Sequence, residues 1–118
     1  MHVVNIADPR VMEISQRVVK AAKDTLGDKL DKVILYGSYA RGDYDQESDM
    51  DFFILADVPQ NEASMRREDV RDRIPYIDLD YGVTVSLHVT GIEVFNKFVN
   101  TLPFYMNVVR EGIVVNGE

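Results

Sequence analysis

The stretch ILYGSYARGDYDQESDMDFFIL, residues 34–55, begins and ends on apolar runs of strand type. Between them it carries two glycines, two serines, one arginine and four aspartates. Polar residues packed this densely between two buried strands are costly unless they do chemistry or meet solvent. The link is about a dozen residues, short for a parallel crossover, so the chain is expected to build a mixed sheet.

The rest of the chain supplies helices to cover that sheet. Asp8-Pro9 reads as a helix start, with Asp8 as N-cap and Pro9 at the first helical position. Val11, Ile14, Val18, Ala22 and Leu26 recur at helical spacing, and Gly27 follows as a C-cap. KVILYG, 32–37, and MDFFILA, 50–56, read as strands, with SYARG a helical turn and DYDQES a polar loop. Residues 61–78 read as a helix that Pro75 kinks or divides. VTVSLHV alternates, with Val83, Val85, Leu87 and Val89 on one face and Thr84, Ser86 and His88 on the other. Thr90 and Glu93 form a capping-box pattern for a helix through Phe98. Residues 103–111 make a final helix closed by Gly112, and IVV a short last strand. Strands alternating with helices give an α/β (α+β) chain, a small mixed sheet flanked by helices, in one domain over 1–118.

Two local signals carry chemistry. Gly37 ends a strand and Ser38 opens a helical turn, which allows close approach of a ligand to backbone N–H groups and suits an anion. Asp49 and Asp51, two apart at the start of a strand, share a face. Like charges so placed repel, and a divalent cation relieves them; hard oxygen ligands suit Mg²⁺ or Mn²⁺. Alone, the first is an ordinary turn and the second a solvated strand end. Together they set a phosphate turn beside a carboxylate pair.

Composition narrows the alternatives. A formal charge of −7 opposes non-specific nucleic-acid binding. The absence of cysteine excludes thiolate metal sites and fits a cytoplasmic protein, and the only histidines are His2 and His88. No apolar run has the length of a membrane span, and the N-terminus lacks the pattern of a signal peptide.

Gly37-Ser38, ten residues, then Asp49-Met50-Asp51, within LYGSYARGD and SDMDFFIL, resembles the signature of the minimal nucleotidyltransferases of the DNA polymerase β-like superfamily. The likeness continues through YGVTVSLHV and LPFYMNVVREG and so covers nearly all of the chain after Lys32. It implies the nucleotidyltransferase fold and transfer of a nucleoside monophosphate from a nucleoside triphosphate, ATP as the expected donor, to a protein or small-molecule acceptor. It implies that Gly37 and Ser38, with Arg41 in the same turn, hold phosphates, and that Asp49 and Asp51 hold Mg²⁺ or Mn²⁺. Short members of the family act beside an all-helical HEPN-type protein as the antitoxin of a pair.

One departure stands out. The family supplies a third carboxylate from the next strand, and VTVSLHV has none. Ser86 and His88 are the side chains offered in its place. Asp78 and Asp80 read as a solvated helix end, and Glu93 follows the strand. Loss of a base costs about 10²–10⁴ in rate, so an impaired nucleotide- or partner-binding module of the same fold is the alternative. Arg41 also has a structural reading, as an ion pair to Asp43 or Asp49. MRREDVRDR reads as a solvated helix face, Tyr36 as core, and LPFYMNVV as core or a partner-facing helix.

Overall fold

The computed structural model describes the backbone of residues 2 and 3 and the whole of residues 6 and 8–116; the His2 ring lies outside the described residues. Strand β1 (His2–Val3) precedes helix α1 (Pro9–Leu26), a 3-10 turn (Gly27–Lys29) and strand β2 (Leu30–Tyr36). The short helix α2 (Ser38–Arg41) leads by a loop to strand β3 (Met50–Ala56). Helices α3 (Gln60–Asp72) and α4 (Ile77–Tyr81), strand β4 (Val85–Gly91), helices α5 (Ile92–Phe98) and α6 (Pro103–Glu111) and strand β5 (Ile113–Val114) complete the chain. The sheet runs β1-β5-β2-β3-β4, with β2 antiparallel to β3 and β5, and β3 parallel to β4. It is therefore mixed, as expected.

The period-2 pattern sorts side chains to two unequal cores. Val33, Leu35, Phe52, Ile54, Leu87 and Val89 face α1 and α3, where Val11, Ile14, Val18 and Val70 meet them. Ile34, Phe53 and Leu55 face α5 and α6, where Phe95 and Val108 meet them. Phe52 and Phe53 are both fully buried, each contributing about 1.5–3 kcal/mol by burial. The second core is the smaller, and it leaves the end of the sheet at Tyr36 and Asp51 less covered.

The local signals act as read at α1: Asp8 accepts from the Arg10 N–H at 2.9 Å, and Gly27 ends the helix at φ +57°. Pro75 lies in the break between α3 and α4. No described helix is long and apolar enough to cross a membrane.

Four readings change. Strand β1 carries no sequence signal, because two residues show no periodicity; it pairs with β5. The Thr90–Glu93 capping box does not form: Thr90 stays buried in β4, and Gly91, the N-cap, donates to Gln60 Oε1 at 2.8 Å. Arg67 is not merely solvated, since its Nε donates to the Leu87 carbonyl on the edge strand at 2.8 Å. Asp78 is a structural residue, with Oδ1 accepting from the Val85 N–H at 3.1 Å and Oδ2 from Arg71 at 2.8 Å. Asp78→Ala is expected to cost about 1–3 kcal/mol, because a charge-assisted bond and a strand N–H both lose their partner; the urea midpoint reads this directly.

Candidate functional site

The site begins with strand pairing. In the β2–β3 ladder Tyr36 faces Asp51. In the β3–β4 ladder Asp51 faces Ser86, and Phe53 faces His88. Asp51, Ser86, His88 and Tyr36 thus share the sheet face that α5 and α6 cover, at the end those helices leave open. Gly37, the next residue after Tyr36, has φ +77° and ψ −153°, a region open essentially to glycine alone. A Cβ there would lie 3.0 Å from Asp51 Oδ2. The positive φ therefore fixes glycine at 37, and a Cβ there would also press on the Asp51 carboxylate, which lies against the turn that opens α2.

The α2 turn is closed by the Gly37 carbonyl, which accepts from the Ala40 and Arg41 N–H groups at 3.0 Å each. Ser38 is half-buried at its start. The connection to β3 is set by an Asx turn: Asp45 Oδ1 accepts from the Glu47 N–H at 2.9 Å and from Ser48 Oγ at 3.2 Å. The Met50 N–H then donates to the Thr84 carbonyl at 2.8 Å and starts β3 against β4. Asp49, just outside that bond, is exposed and faces a groove of about 460 Å³ lined in part by Glu47, Ser48, Asp78, Leu79 and Thr84.

Electrostatics mark Asp51. Burial holds its pKa above the usual carboxylate range, the Asp49 charge raises it further, and His88 opposes this. Burial, then the Asp51 charge, also pushes the Tyr36 phenol up. Among the described residues neither Asp49 nor Asp51 forms an ion pair with a lysine or arginine. A half-buried carboxylate beside a second one, without a side-chain cation, fits the chemistry of a divalent ion held by two carboxylates and by substrate phosphates. No group of three acidic or histidine side chains able to hold a metal occurs among the described residues.

The remaining candidates separate. Ser86 is half-buried in register with Asp51, and His88 is exposed on the same face. Arg41 pairs with Asp43 at 3.2 Å and with Glu111 at 3.1 Å; Asp49 is not its partner. Glu93 lies past the opposite end of β4, where Gly91 faces Ala56, roughly 17 Å from Ser86 at the usual strand rise. Tyr39 and Tyr44 stack on each other at 4.1 Å, and the Tyr44 hydroxyl donates to Asp8 at 2.9 Å. Phe104 on α6 has ring contacts to both Tyr36 and His88. Its place at the site came from tertiary packing, and only the apolar composition of LPFYMNVV hinted at it.

Comparison with known proteins gives the family and the fold. Residues 15–115 match the nucleotidyltransferase domain family. The chain belongs to that family. Two Methanocaldococcus jannaschii relatives carry related names. "Putative protein adenylyltransferase MJ0604" is 40% identical over 97 residues, 82% of this chain and 89% of the relative. "Putative protein adenylyltransferase MJ0141" is 34% identical over 96 residues, 80% of this chain and 94% of the relative. Two solved structures share the fold. A toxin–antitoxin with AMP-PNP matches with TM-score 0.57 at 21% identity, over 88% of this chain and 73% of that one. A tri-AMPylated Shewanella oneidensis HEPN toxin in complex with MNT antitoxin matches with TM-score 0.53 at 19% identity, over 92% and 73%.

Two predictions follow from the geometry. Gly37→Ala is expected to destabilise by about 1–3 kcal/mol from backbone strain, read by denaturant unfolding. For Asp51 the folded state binds the proton more tightly than the unfolded chain. Stability therefore falls as pH rises from the ordinary carboxyl range through the raised value, and the full cost persists at neutral pH. Asp51→Asn is expected to raise the melting temperature near neutral pH and to leave it unchanged in acid below the carboxyl range, as scanning calorimetry across pH would report.

Proposed function

We propose that this protein transfers AMP from ATP to a hydroxyl group on a protein partner. Asp49 and Asp51 hold Mg²⁺ or Mn²⁺, and Gly37, Ser38 and Arg41 hold the triphosphate. The observation that carries this reading is the pairing of Tyr36 with Asp51, which seats a carboxylate against the Gly37 turn. The names of the Methanocaldococcus jannaschii relatives support adenylyl transfer to protein. The fold-sharing Shewanella oneidensis complex supports a HEPN-type helical protein as the partner, with this chain in the antitoxin role. A cytoplasmic location, where ATP is supplied, belongs to the same reading.

The reaction is an in-line displacement. The acceptor oxygen forms a bond to the α-phosphorus, the bond from that phosphorus to the pyrophosphate oxygen breaks, and the acceptor proton departs. Asp49 and Asp51 would hold the cation, which would supply charge stabilisation to the phosphates. The Gly37–Ser38 turn orients the phosphate chain through its backbone, and glycine keeps a side chain from coming between the turn and Asp51. Arg41 adds positive charge once it leaves Asp43 or Glu111 for phosphate. His88, exposed on the Asp51 face, takes the acceptor proton in place of a third carboxylate, and Ser86 beside Asp51 orients the acceptor hydroxyl.

One observation favours a second reading, a nucleotide-binding module without turnover: a third acid is missing from the cluster among the described residues. Incubation with α-labelled ATP, Mg²⁺ and a HEPN-type partner separates the two. The transferase reading expects label on the partner, reduced at least about 10²-fold in Asp49→Asn and in Asp51→Asn. Binding of ATP with no transfer to any partner would leave the module reading standing.

A further inference from the structure

We infer that Phe104, at the rim of the carboxylate site, is the surface on which the nucleobase of the donor stacks. The inference rests on the nucleotide-transfer reading above and adds to it how the base end of the donor is held. Four rings fix the Phe104 ring in place. Tyr36 meets it at 5.6 Å and 78°, Phe53 at 5.7 Å and 63°, His88 at 5.8 Å and 58°, and Tyr105 at 5.8 Å and 48°. Tyr36 and Phe53 meet it edge-on, His88 and Tyr105 are tilted against it, and none lies parallel to it, so no neighbouring ring stacks flat on it. Phe104 nevertheless remains 42% exposed. An aromatic ring packed by edge-on and tilted ring contacts and still open to solvent is suited to a flat aromatic ligand, because part of the ordering cost is already met by packing.

Its position selects the ligand. Tyr36, on which Phe104 rests, immediately precedes the Gly37–Ser38 turn and faces Asp51 across the ladder. His88, its other flank, lies on the Asp51 face of β4. A donor whose phosphates occupy that turn has its planar end on the aromatic side of the same rim. Phe104 has no hydrogen-bonding group, so it holds a base by its π-face and does not read its edge. The ring thus gives affinity for purine nucleotides with little choice between adenine and guanine. Leu102 and Met106 extend the exposed apolar surface beyond the ring, which makes a protein-docking role for Phe104 the rival that an experiment must separate.

Calorimetric titration of the full chain with ATP, GTP and tripolyphosphate, each with Mg²⁺, provides that separation. Phe104→Leu, which keeps apolar volume and loses the ring, is expected to weaken ATP and GTP each by about tenfold and to leave tripolyphosphate unchanged. Phe104→Trp is expected to restore both nucleotides. Unchanged ATP affinity in Phe104→Leu overturns the inference, as does an equal loss for tripolyphosphate. Loss confined to affinity for a HEPN-type partner overturns it in favour of protein docking. If the unaltered chain binds neither ATP nor tripolyphosphate, the nucleotide-transfer reading fails with it.

Discussion

The structure turns on one contact, the approach of the Asp51 carboxylate to the backbone of Gly37. The β2–β3 register sets it, and the register is in turn set by burial. Ile34 and Phe53 face one core, while Leu35 and Phe52 face the other. A slip of one residue would turn all four to the wrong face, so the large hydrophobic residues lock a pairing that the polar residues could not enforce. The fold thereby holds two carboxylates at a strand end where they repel each other and where burial disfavours the charge on one of them. Apolar packing offsets that local cost, and the site depends on the core for its geometry.

Much of this was legible in the sequence. The short link between two apolar runs set the strand that carries Asp51 next to the Gly37 turn, whereas the shared face expected of Asp49 and Asp51 rested on period-2 spacing that Asp49, just before β3, lies outside. Asp8, Pro9 and Gly27 marked the ends of α1 because capping is local chemistry. The features that escaped are non-local. Asp78 resembled a solvent-facing residue until its bonds to Arg71 and Val85 were located. Thr90 satisfied a capping pattern, yet the parallel ladder with β3 kept it in the strand. Phe104 drew notice only as part of an apolar helix, since its meaning lies in the rings around it, from β2, β3 and β4.

Arg41 illustrates how one residue can fit both a structural and a functional reading. It joins the α2 turn to the end of α6 through Glu111. Such exposed pairs contribute little to stability, in the range of about 0–1 kcal/mol. Little is therefore lost if the guanidinium leaves them, and its place in the turn that starts at Ser38 keeps it close in the chain to Gly37.

The order of strands in the sheet also bears on how the chain is made. Strand β2 lies between β3 and β5, so its second neighbour comes from residues 113 and 114. During synthesis the segment from β2 to β4 emerges before β5 and can assemble its ladders and the carboxylate end without it. The other edge of β2 stays open until β5 leaves the ribosome, and β1 can join only after that. Contacts spanning so much of the chain form late. A nascent chain halted before residue 113 would thus carry the carboxylate strands while exposing an unpaired backbone edge, the form in which association with other chains is hardest to avoid.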